Sequence, residues 1–112
     1  MIQAGKAYCW GSNGNGQLGN GSTTSASAPL PVYTGGVLAG TTLIQIVAGG
    51  SDTCALASTG AAYCWGLNSS GQLGNNSTAQ SPVPVAVTTS GALTGKTLTQ
   101  ITAGNARVCA LE

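Results

Sequence analysis

The run Leu43 to Ala48 is apolar and rich in β-branched residues, and it stops at Gly49-Gly50. Thr53 to Ala57 follows, then the tight turn Ser58-Thr59-Gly60, then Ala61 to Trp65. Short runs of this kind, bounded by Gly, Asn, Ser and Thr, predict strands rather than helices. The turn joins the second and third runs into an antiparallel hairpin. A fourth strand is expected at Val83 to Val87, and at Leu30 to Tyr33 earlier in the chain. Pro29, Pro31, Pro82 and Pro84 fall in or beside these last segments, and a ladder tolerates proline only at its edge. The class is all-β, built from small sheets of about four strands.

The same pattern occurs twice. Ala7-Tyr8-Cys9-Trp10-Gly11 reappears as Ala62-Tyr63-Cys64-Trp65-Gly66, and Gly16-Gln17-Leu18-Gly19-Asn20 as Gly71-Gln72-Leu73-Gly74-Asn75. The offset is 55 residues throughout and needs no gap: Pro29 meets Pro84, Leu38 meets Leu93, and Cys54-Ala55-Leu56 meets Cys109-Ala110-Leu111. About half of the aligned positions are identical. A fixed period of that length marks a repeat architecture, here units 1–57 and 58–112, the first circularly offset. A four-stranded unit with a proline-bearing outer strand suits a propeller blade.

The order of fixed words carries a resemblance. Cys54-Ala55-Leu56, Gly60, Tyr63-Cys64-Trp65-Gly66, Asn68 and Gly71-Gln72-Leu73-Gly74 resemble the repeat of the regulator of chromosome condensation family, especially its cysteine-containing bacterial members. The resemblance covers nearly the whole chain, twice. It implies a β-propeller with one four-stranded blade per repeat, usually closing at seven blades, whereas this chain carries two. Relatives of the chromatin-regulator type exchange nucleotide on a small GTPase through segments outside the common repeat words. Neither unit here carries an insertion of that sort, so that activity is not expected.

Two blades leave two apolar faces open, and repeat units are not stable singly. Cys109-Ala110-Leu111 forms the second strand of a hairpin whose third strand, Ala7 to Trp10, lies at the other end of the chain. One copy's end is therefore expected to continue into the next copy's beginning. Head-to-tail contacts close into rings when the rotation allows it: three copies give six blades and four give eight, the trimer being preferred. The expected function is a non-enzymatic, self-assembling propeller scaffold offering an interaction surface. The alternative is a lectin-like module, with Asn13, Asn20, Asn68 and Asn75 as polar partners for a sugar beside exposed aromatics. Against that alternative, Trp10, Trp65, Tyr8 and Tyr63 are expected to pack between blades with Leu18, Leu73, Ile46 and Ile101, since Phe is absent.

Composition removes other classes. Only 4% of residues are charged, for a net charge of +1. Lys6, Lys96 and Arg107 cannot supply the clustered cations that nucleic acid requires. No apolar run approaches the roughly 20 residues of a membrane span. The first residues lack the basic segment and apolar core of a signal peptide, although a secreted or cell-surface origin is favoured. Asp52 and Glu112 are the only carboxylates and His is absent, so acid–base or nucleophilic catalysis has no base, and no enzyme is expected. No cofactor is expected either: Gly14 to Gly19 spells G-x-G-x-x-G, but it lacks the following helix and acidic residue of a dinucleotide site.

The cysteines leave two readings open. Cys54 and Cys64 flank the hairpin turn almost symmetrically, near the separation a disulfide needs. Cys109 would then bond Cys9 of a neighbouring copy. Alternatively all four are small buried hydrophobes. Zinc is not expected, for want of His and C-x-x-C spacing, and the Asn-rich turns lack the carboxylates of a calcium site. Asn20, Asn68, Asn75 and Asn76 head N-x-[ST] triplets, a weak glycosylation signal. Asp52 and Arg107 occupy matched positions and would form an exposed pair across adjacent blades, contributing about 0–1 kcal/mol to register.

Overall fold

The computed structural model describes residues 2–3, 5–88, 97–104 and 107–111. Leu93, Lys96, Glu112 and the junction of Glu112 with Met1 lie outside the described residues. Among the described residues all regular structure is strand, in three antiparallel sheets. The first joins β1 (Ile2–Gln3), β2 (Lys6–Gly11) and β3 (Ala26–Pro31). The central sheet runs β4 (Leu43–Ala48), β5 (Asp52–Ala57), β6 (Ala62–Gly66), β7 (Ser81–Ala86), in that spatial order. The third pairs β8 (Gln100–Ala103) with β9 (Val108–Leu111).

The central sheet is the four-stranded blade expected from the sequence. Its neighbours are complementary parts of the same plan: β2 and β3 correspond to the third and fourth strands, β8 and β9 to the first and second. β1 pairs with β2 only at Ile2–Ala7 and Gln3–Lys6. The prolines lie in β3 and β7, which are edge strands. These edge strands begin earlier than the sequence suggested, at Ala26 and Ser81 rather than Leu30 and Val83. The cause is a bulge: Gly11 and Gly66 have φ of 111° and 106° and shift the register. Gly66 then pairs with Ser81 and Gly11 with Ala26, which extends the edge strand backwards.

β5 is buried along its whole length because both faces of its sheet are covered. Side chains alternate across a strand. Ala55, Ala57 and Trp65 pack with Ala7, Val32, Leu38 and Leu43 on one face. Cys54, Leu56, Ala62 and Cys64 pack with Leu73, Leu98 and Ile101 on the other. The first and third sheets thus flank opposite faces of the central blade, as blades do around a propeller. Cys54 and Cys64 are directly opposite in the β5–β6 ladder, their Cα atoms 4.0 Å apart, and they are joined by a disulfide.

Candidate functional site

The chemistry available to this chain lies at the junction between blades and at its two open counterparts. The loop after β2 is built on Asn13, which is fully buried. Its Nδ2 donates to the carbonyls of Ser22 (2.9 Å) and Thr24 (3.0 Å), and its Oδ1 accepts from the Leu18 N–H at 2.9 Å. Asn68 repeats the arrangement with Ser77, Ala79 and Leu73 at 2.9, 3.0 and 2.8 Å. One amide side chain therefore replaces a missing ladder and holds a turn made of polar residues. The amides of Asn13 and Asn68, named above as partners for a sugar in the alternative reading, are spent internally.

The held turn presents Gln17 to the next blade. The Gln17 carbonyl accepts from Trp65 Nε1 at 2.9 Å and from Thr53 Oγ1 at 2.8 Å. Gly19, at φ 71°, lies flat under the indole; a Cβ there would stand 2.5 Å from Trp65 Nε1, so no other residue fits. Gly21 donates to the Pro82 carbonyl at 2.9 Å. Deeper in, Gln45 bridges the inner strands β4 and β8, donating to the Ile101 carbonyl at 3.2 Å and accepting from its N–H at 3.4 Å. The junction is thus polar at its rim, where backbone atoms need partners, and apolar within.

Of the residues expected to pack blades, Trp65, Leu73, Leu18 and Ile101 are buried, and Tyr8, Tyr63 and Ile46 are half-buried. Trp10 is 49% exposed within the single chain, where Trp65 is 0% exposed. The two have the same sequence surroundings, but only Trp65 has a preceding Gln-Leu-Gly turn against it. The reciprocal gap lies at the other end. There Gln72, Leu73 and Gly74 line a cavity of about 350 Å³ with Val108 and Cys109. Cys9 is half-buried and Cys109 exposed, both as free thiols, and burial pushes the Cys9 thiol above its ordinary pKa.

Asp52 also departs from the expected exposed pair. It is 2% exposed, its Oδ2 has no hydrogen-bond partner among the described residues, and burial raises its pKa against a smaller lowering by its own backbone N–H. Arg107 is exposed, its side chain lying over Gly104. Among the described residues no group of three or more His, Cys, Asp or Glu side chains could hold a metal ion. No helix among them is long and apolar enough to cross a membrane.

A four-stranded blade between two part-blades, stacked through repeating loop-to-strand contacts, defines a β-propeller repeat protein. The chain belongs to the regulator of chromosome condensation (RCC1) repeat family, whose model matches residues 4–56 and again 59–111. A second model of the same repeat matches 43–72. Among relatives, the probable E3 ubiquitin-protein ligase HERC3 of Homo sapiens is 42% identical over 71 residues, 62% of this chain and 6% of that protein. The ultraviolet-B receptor UVR8 of Arabidopsis thaliana is 37% identical over 79 residues, 70% of this chain and 17% of the receptor. The structure of human WBSCR16 superimposes with a TM-score of 0.87 at 27% identity, covering 100% of this chain and 27% of that one. Prp20p of Saccharomyces cerevisiae does so at 0.72 and 20% identity, covering 94% and 26%. The chain therefore spans under a fifth of these curated relatives and about a quarter of the solved propellers.

Proposed function

We propose that the chain is a non-catalytic propeller scaffold whose ring is completed by further copies of itself and whose finished surface binds other proteins. The observation that carries this is the complementarity of its two ends. Among the described residues the sheet β1–β3 supplies outer strands without full inner partners, while β8–β9 supplies inner strands without outer ones. Joined head to tail, each pair of ends makes one further blade, so each copy contributes two. Three copies make six blades and four make eight, with the smaller ring preferred because it orders fewer subunits. The 1–57 and 58–112 units are then the repeating elements of that ring.

Protein binding is supported by neighbours in fold: Prp20p has been studied for its binding to Gsp1p and histones, and yeast RCC1 has been solved bound to Kap60. The internal use of Asn13 and Asn68 favours the scaffold over a sugar-binding module. Sedimentation equilibrium of the purified chain tests assembly. The expected mass is three or four times the 10.9 kDa of one copy, and a monomer at every concentration would overturn the reading.

A further inference from the structure

We propose that β2 of one copy completes the sheet of β9 in a second copy, and that Cys9 and Cys109 then close a disulfide between the two chains. This rests on the self-assembling scaffold reading and assigns its partner residues and its lock. The template is inside the molecule. In the β5–β6 ladder Thr53 faces Trp65 and Cys54 faces Cys64, and that second pair is the existing disulfide. Moving β5 forward by 55 residues gives β9, and moving β6 back by 55 gives β2. The same register then places Val108 opposite Trp10 and Cys109 opposite Cys9.

Two further contacts of the internal junction have their halves waiting at opposite ends. The Gln17 carbonyl is capped by an indole N–H; its counterpart on Gln72 lines the cavity beside Val108 and Cys109, which holds no indole. Trp10 is the half-exposed indole with no such turn against it. Gln100 repeats Gln45, so it meets Ile46 of the second copy as Gln45 meets Ile101 within the chain. A single chain cannot satisfy these pairs, because β2 and β9 belong to sheets on opposite faces of the central blade.

The bond forms by thiol–disulfide exchange with a small disulfide such as oxidised glutathione. The exposed Cys109 thiolate attacks first, forming a mixed disulfide and releasing one glutathione thiolate. Cys9 of the docked copy, once it has lost its proton to solvent, attacks the Cys109 sulfur and releases the second. The order follows exposure: Cys9 is half-buried and its thiol resists ionisation. The buried Cys54–Cys64 bond stays outside the exchange.

The test uses the full chain with oxidised glutathione, read on a non-reducing denaturing gel, with native mass spectrometry of the reduced protein alongside. Wild type is expected to give covalent species at multiples of 10.9 kDa. Cys9→Ser and Cys109→Ser are each expected to stay single, while an equal mixture of the two gives one dimer band. Docking raises the local thiol concentration, so the mixture should cross-link at least about tenfold faster than either variant alone. A Cys9→Ser sample that dimerises as fast as the mixture would show random collision and overturn the lock. Absent cross-links with an intact reduced ring would overturn the disulfide and leave the scaffold standing. Absent cross-links with a reduced monomer would overturn both.

Discussion

Trp65→Ala lowers the unfolding free energy by about 3–5 kcal/mol, the cost of emptying a buried aromatic site. Trp65 is fully buried between blades and sits on Gly19, which has no side chain to swing into the space. The cavity therefore persists and the neighbours cannot collapse over it. Loss of the hydrogen bond is the smaller part, because the Gln17 carbonyl keeps Thr53 Oγ1 as a donor. Against a typical stability of about 5–15 kcal/mol, a loss of this size removes a large share of the total. Urea unfolding followed by circular dichroism measures it, and a loss below about 1 kcal/mol would mean that the junction is not part of the core.

Asn68→Ala is expected to cost about 3 kcal/mol, because it strands the buried Leu73 N–H and leaves the Ser77 and Ala79 carbonyls without a donor. Asn68→Asp should be no better although it has the same shape. It keeps the acceptor for Leu73 but turns a carboxylate towards two carbonyl oxygens in a site closed to water. Chemical denaturation of both variants checks this. A tolerated Asn68→Asp would mean that the turn is held by its backbone bonds, Gly71 to Asn68 and Gly74 to Gly71, and not by the side chain.

Much of the architecture could be read from the chain because it is written twice. Identical words at a constant offset align strands and turns without reference to packing, and symmetry about Ser58-Thr59-Gly60 brings Cys54 and Cys64 close, while the bond between them is seen only in the structure. Burial could not be read in that way. Trp10 and Trp65 have the same sequence surroundings, and they differ in exposure because one has a Gln-Leu-Gly turn against it. The matched positions of Asp52 and Arg107 suggest a surface pair, yet Asp52 is 2% exposed. The sequence offers Asn13 and Asn68 only as partners for a sugar, because an Asn among Gly, Ser and Asn carries no signature of a residue that holds a turn. A signal was present: both halves keep Asn at that position while Gly14-Asn15 becomes Ser69-Ser70. Comparing the repeats position by position separates the residue that holds the turn from those that merely occupy it.

The junction seen between the first two sheets is expected to repeat between copies, at the unfinished blades. Trp10 reports on it directly, because the chain has two tryptophans and Trp65→Phe leaves Trp10 as the sole one while filling most of the core site. Acrylamide quenching of its emission is to be followed from concentrated to dilute solution. A shielded, blue-shifted indole is expected at high concentration, becoming accessible as the assembly dissociates. An indole equally accessible at every concentration, in a variant that sedimentation shows to be assembled, would contradict it.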